Sequence, residues 1–314
     1  MWSMLSLALT HHSNDTSVCV AACRLMTTVL HSSSYDNRCI CISQFYGAGM
    51  LLSLHRLLVM HETDFKLSLA IVQVFVPLLE NNFTMDTLFV AQGMCDLLVQ
   101  RIIYFIDHPS MKMLLMAYAG RLTVTNKFMQ EKMVQLGVLI QLLGIMYQSS
   151  KGPEPTNYDC SLVQWSAWAV SCIVHKNHFT QTKFASIGGC KVILYTLQMM
   201  EDMHAVISIM RTIAMVSMHN AYLQDSLLLE NAIELLQSKY LQCQSVYATG
   251  LAISNDHSSE QLSLKATYNS LVHTYQCAIE AVSGDSAADI DLIVTQTDNL
   301  QLRDLDNIVL SAHF

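Results

Sequence analysis

Thirteen histidines and ten cysteines in 314 residues raise metal binding or thiol chemistry as the first possibility. A zinc site needs two close pairs of Cys or His that converge. Cys19 and Cys23 stand four apart on a helical spacing, Cys39 and Cys41 two apart, and His175 and His178 three apart. None of these pairs has a second pair at zinc-site spacing, and no C-x-x-C occurs. Cys19 and Cys23 therefore read as small core residues, and no metal ligand is expected. The nucleophile and phosphate signatures G-x-S-x-G, G-x-x-x-x-G-K-[ST], G-x-G-x-x-G and H-E-x-x-H are also missing; His61-Glu62 continues as Thr-Asp-Phe without a second His. The expectation is a non-enzyme with no catalytic residue and no cofactor.

Composition points to what must surround such residues. A hydrophobic share of 52% with 13% charged residues excludes a disordered chain and a highly charged coiled coil. With 11 Gly and 4 Pro, a turn-dense all-β fold is excluded too. The net charge of −8, with no Lys/Arg cluster, argues against a nucleic-acid partner. The cysteines are dispersed in apolar stretches and no secretory signal accompanies them, so a reducing, cytoplasmic setting is expected. The 19 methionines scatter along the chain and read as core filling. The longest uncharged window, Met133–Ser150, is broken by Gln135, Gly137, Gln141 and Gln148. It reads as two buried helices joined at Gly137 and not as a membrane span.

Self-similarity organises the rest. A Gly followed by apolar residues recurs at Gly49, Gly93, Gly137 and Gly189, with Asn231 in the same role, at intervals of 44, 44, 52 and 42 residues. The long interval holds Lys151-Gly-Pro-Glu-Pro-Thr-Asn-Tyr-Asp159, a loop-like insertion. Asn37, Asn82, Asn126, Asn177, Asn220 and Asn255 keep a matching beat, each between two apolar-periodic segments. Asn suits such junctions by capping a helix or by adopting left-handed angles. Each period decomposes into three helices. In one unit these are about 162–174, 180–187 and 190–200, and in the next about 203–217, 221–230 and 232–240, with a longer helix expected over 259–282. A unit of this size cannot bury its own face, so neighbours must stack.

Val163-Gln-Trp-Ser-Ala-Trp-Ala-Val-Ser-Cys172, followed by Gln181-Thr-Lys-Phe-Ala-Ser-Ile-Gly-Gly189, resembles the third helix of one armadillo repeat running into the next. The resemblance covers roughly residues 14–255. It implies an all-α, right-handed armadillo-type α-solenoid of about five to six three-helix repeats with a C-terminal capping helix. The repeats fall at about 14–60, 61–105, 106–158, 159–200, 201–240 and 241–283, and an acidic tail follows over 284–314. That tail carries six Asp against Arg303 alone.

The resemblance also implies that third helices line a concave groove. Importin-α-like members hold a Trp there and an Asn four residues later. Here Trp168 takes the Trp position and Cys172 the Asn position, and the other units lack the ladder, which argues against nuclear-import activity. The groove candidates are Gln73, Arg121, Trp168, Cys172 and Arg211, a set suited to an extended acidic or mixed protein segment. Trp168 either lines the groove or packs between units, and Trp165 is assigned to the core. The expected function is a non-catalytic protein–protein interaction scaffold or adaptor. The alternative is a helical regulatory or dimerisation region cut from a larger multidomain protein such as a kinase.

Overall fold

The computed structural model describes residues 1–32, 35–78, 93–124, 126–152, 155–253 and 259–284. Among them the protein is all-helical, with no strand. Sixteen helices follow in order: α1 (Trp2–His11), α2 (Thr16–Ser32), α3 (Tyr35–Gly47), α4 (Met50–Met60), α5 (Phe65–Leu78), α6 (Met94–Tyr104), α7 (Pro109–Thr123), α8 (Lys127–Gln135), α9 (Val138–Ser150), α10 (Asn157–Val174), α11 (His178–Ser186), α12 (Gly189–Met199), α13 (Met203–Ser217), α14 (Ala221–Leu229), α15 (Ala232–Ile253) and α16 (Ser259–Ser283). The chain divides into two compact units, Met1–Leu122 and Thr123–Phe314.

The helix starts follow from two kinds of residue. Gly49, Gly93, Gly137, Gly188 and Asn231 all have positive φ and each stands immediately before a helix, at intervals of 44, 44, 51 and 43 residues. One landmark shifts by a residue: Gly188 (φ +80), not Gly189, takes the left-handed turn. Gly189 instead opens α12, where a Cβ would lie 2.6 Å from the ring of buried Phe184. The second kind is the junction Asn. Asn126, Asn177 and Asn220 have extended backbones and cap α8, α11 and α14 through their side-chain oxygens. Asn37 falls in the first turn of α3, while Asn82, Asn255 and the acidic stretch from 285 lie outside the described residues.

In the first unit α2 packs along α5, and α4 packs against α1, α3, α5 and α6. The buried guanidinium of Arg101 on α6 donates to the carbonyls of Leu58 and Glu62, closing the end of α4. Tyr118 on α7 donates to Val72 O on α5 at 2.7 Å.

In the second unit α13 lies between α10 and α16, and every residue from Ala205 to Ser217 is buried. Thr212 on α13 donates to Ala167 O on α10 at 2.8 Å, tying the two helices at mid-length. The long α16 packs against α13 and α15. Two stacked tyrosine pairs, Tyr240–Tyr275 and Tyr247–Tyr268, lie along the α15–α16 seam. No single described helix is long and apolar enough to cross a membrane. The apolar pair α8–α9 is bent by 71° at its break.

Candidate protein-binding site

The five groove candidates fall in different units and mostly inside them. In the first unit Gln73 on α5 is 5% exposed. Arg121 on α7 is half-buried and donates from Nη1 to Val76 O at 2.9 Å. That contact satisfies a carbonyl in the last turn of α5, which also holds Pro77. In the second unit Trp168 is 1% exposed and meets Trp165 edge-to-face at 6.0 Å between centroids. Cys172 on the same helix and Arg211 on α13 are each 5% exposed. The packed faces of α10 and α13 therefore hold these groups inside the unit, where they join helices and offer little area to a partner.

A second set of residues emerges at the other end of these helices. Gln130 on α8 donates from Nε2 to Cys172 O at 2.9 Å and to Thr123 O and His175 O at 3.1 Å, gathering the end of α10. Its own Oε1 accepts from Asn177 Nδ2 at 3.0 Å. The arrangement recurs three helices later. Gln181 on α11 donates to Met215 O and Met218 O at the end of α13, and accepts from Asn220 Nδ2 at 3.0 Å. Gln224 on α14 then donates to Ala281 O at the end of α16. Gln130 and Gln181 are buried with partners at both ends of the amide, and Gln224 is half-buried. They form a polar ladder that brings the N-termini of α8, α11 and α14 side by side. Asn177 Nδ2 also lies 3.5 Å from Lys127 O, and Asn220 Nδ2 lies 3.3 Å from His178 Nδ1.

The ladder positions a row of aromatic rings. Phe128, Phe179 and Tyr222 each stand two residues after their capping Asn and are 60%, 43% and 67% exposed. Exposed Lys127, Lys176, His178, Lys183 and His219 and half-buried Lys132 each stand within four residues of a ring in sequence, and the acids Glu131 and Asp225 stand three residues beyond Phe128 and Tyr222. Lys132 and Lys183 are four residues beyond Phe128 and Phe179, so they share the ring's helix face. The sequence signal for this site is Asn-x-[Phe/Tyr]-x-Gln, present as Asn126-Lys-Phe-Met-Gln130, Asn177-His-Phe-Thr-Gln181 and Asn220-Ala-Tyr-Leu-Gln224. Reading the Asn beat alone misses it.

Burial pushes the thiols of Cys19, Cys23, Cys190 and Cys243 up from their ordinary value. Such a thiol stays protonated and is a poor nucleophile or ligand. Cys243 borders a cleft of about 470 Å³ at the start of α13, beside Glu201, Asp202, His204, Val246 and Thr267. Lys239 nearby donates to Met200 O at 2.9 Å, and desolvation lowers its ammonium pKa. Among the described residues no group of three or more His, Cys, Asp or Glu converges as metal ligands. Compared with known proteins, the chain matches no family model and no curated protein.

Proposed function

We propose that this chain is a non-catalytic interaction scaffold, built as an armadillo-type solenoid, that binds an extended acidic protein segment. The observation that carries this reading is the row Phe128–Phe179–Tyr222. Three large aromatic side chains are exposed at the same station of α8, α11 and α14, every third helix, and buried Asn–Gln contacts join these helices. Exposed aromatics with flanking cations suit a segment that alternates carboxylates with apolar side chains. The recurrence of left-handed residues at 44, 44, 51 and 43 supports the solenoid reading. Binding is placed on this row and not on the faces bearing Trp168 and Arg211, because those side chains are covered.

The test is an array of immobilised peptides, acidic–apolar and basic–apolar, probed with the full chain and with the Phe128→Ala/Phe179→Ala/Tyr222→Ala variant of equal helicity. Acidic–apolar peptides should bind the wild type, with at least about tenfold loss in the variant, since aromatic anchors carry about 2 kcal/mol or more. Equal binding by both proteins, or preference for basic peptides, refutes the proposal.

A further inference from the structure

The ladder has a last rung whose continuation the fold specifies. Gln130 holds the end of α10, after which Lys176 (φ 50) turns the chain into Asn177 and α11. Gln181 holds the end of α13, after which His219 (φ 58) turns it into Asn220 and α14. Gln224 holds the end of α16, and Gly284 (φ 82) stands at the corresponding turn, a Cβ there lying 3.5 Å from Gln224 Oε1. Gly284, after which the described residues end, therefore lies beside Gln224 of α14, at the Tyr222 end of the aromatic row.

The chemistry of the segment that begins there complements the row. Residues 285–314 carry Asp285, Asp289, Asp291, Asp298, Asp304 and Asp306 against Arg303, a net charge of −5. Apolar residues alternate with the acids, as in Asp289-Ile-Asp-Leu-Ile-Val294. The row offers Lys127, Lys132, Lys176 and Lys183 around its rings, against Glu131 and Asp225. Packed helices lie about 8–10 Å apart, so three stations span about 20 Å. Six or seven extended residues cover that length at about 3.3 Å each, well within the thirty available. Tethering raises the local concentration of such a segment to the order of millimolar.

We propose that residues 285–314 dock in cis on the Phe128–Phe179–Tyr222 row and compete there with the partner segment. This rests on the row being a binding surface for acidic segments. In the full chain, Phe179 is replaced by a photoreactive phenylalanine, and crosslinks are mapped by mass spectrometry in a mixture of isotopically light and heavy protein. Crosslinks within one chain to 285–314 are expected at low salt. They should be lost near 1 M salt, and lost when Asp285→Asn, Asp289→Asn, Asp291→Asn, Asp298→Asn, Asp304→Asn and Asp306→Asn are combined.

The combined variant should also bind acidic–apolar peptides about tenfold more tightly if the wild-type row is occupied nine-tenths of the time. No crosslink to 285–314, or crosslinks only between light and heavy chains, overturns the cis docking. If peptides still bind through the aromatic row in that case, the scaffold reading survives and this inference alone falls. If the combined variant binds no peptide either, the binding surface itself is wrong.

Discussion

Replacing Asn177 with Asp separates the two jobs of this side chain. Its Oδ1 accepts from Phe179 N at 3.1 Å and Thr180 N at 3.4 Å, while its Nδ2 donates to Gln130 Oε1 at 3.0 Å. Asp caps a helix about as well as Asn, so the first job survives the change within about 0.5 kcal/mol. The second job does not. One buried hydrogen bond is lost, about 1 kcal/mol, and Gln130 Oε1 is left facing a carboxylate oxygen, a further 1–3 kcal/mol or so. Gln130 cannot turn over without withdrawing Nε2 from Thr123 O, Cys172 O and His175 O. The expected loss is about 2–4 kcal/mol.

The control is Asp202→Asn, a cap swap in which the side chain accepts only from Ala205 N among the hydrogen bonds shown, with an expected change within about 0.5 kcal/mol. Urea unfolding followed by tryptophan fluorescence is suited to both, since Trp165 and Trp168 lie on α10 in the unit concerned. Moderate salt, about 0.5 M, screens any compensating contact with Lys127 or Lys176. Burial against acceptor oxygens raises the new carboxyl's folded pKa above its unfolded value. The variant should therefore regain stability as pH falls through that folded pKa, when the acid protonates and can donate. Equal midpoints for Asn177→Asp and Asp202→Asn would show that the ladder contributes nothing beyond capping.

The neighbouring glycines should fail for different reasons. Gly188→Ala pays for a left-handed backbone, about 1–2 kcal/mol, and Gly188→Asn should restore most of it. Gly189→Ala instead drives a methyl into Phe184, about 1–3 kcal/mol, and Gly189→Asn should be worse still; identical profiles at both positions in urea melts would refute the assignment. The second expectation concerns pH. Burial, then Cys19, raises the Cys23 thiol, so its folded pKa exceeds the unfolded value near 8.5. Its stabilising contribution is complete below about pH 8.5 and falls by about 1.4 kcal/mol per pH unit above it. Cys23→Ala should flatten the decline of urea midpoints between about pH 8 and about pH 10 by that slope, and an unchanged slope would contradict the burial.

The groove candidates are buried or half-buried, and spacing alone does not foretell that. Registering Trp168 and Arg211 on their junction Asn residues identifies equivalent helix positions. Whether a position is open depends on how closely α10, α13 and α16 pack, which no period encodes. The aromatic row was legible in principle, since Phe128, Phe179 and Tyr222 share one offset from Asn. Pattern alone assigns a large apolar residue in an amphipathic helix to the core, and only the fold turns these rings outward.

Local rules were enough for the helices themselves. Apolar residues at three- and four-residue steps, Asn caps and left-handed Gly or Asn are short-range preferences, so α13, α14 and the start of α15 match their expected limits within a residue or so. The tertiary structure decided what those elements present. The Asn–Gln ladder joins residues 34 to 57 apart in sequence, such as Gln181 with Met215 and Gln224 with Ala281. A contact of that range exists only once helices are stacked, because each buried amide needs a carbonyl from another helix to be satisfied. Capping and left-handed residues thus dictate where a helix begins, and the stacking of helices dictates which of its side chains stay exposed.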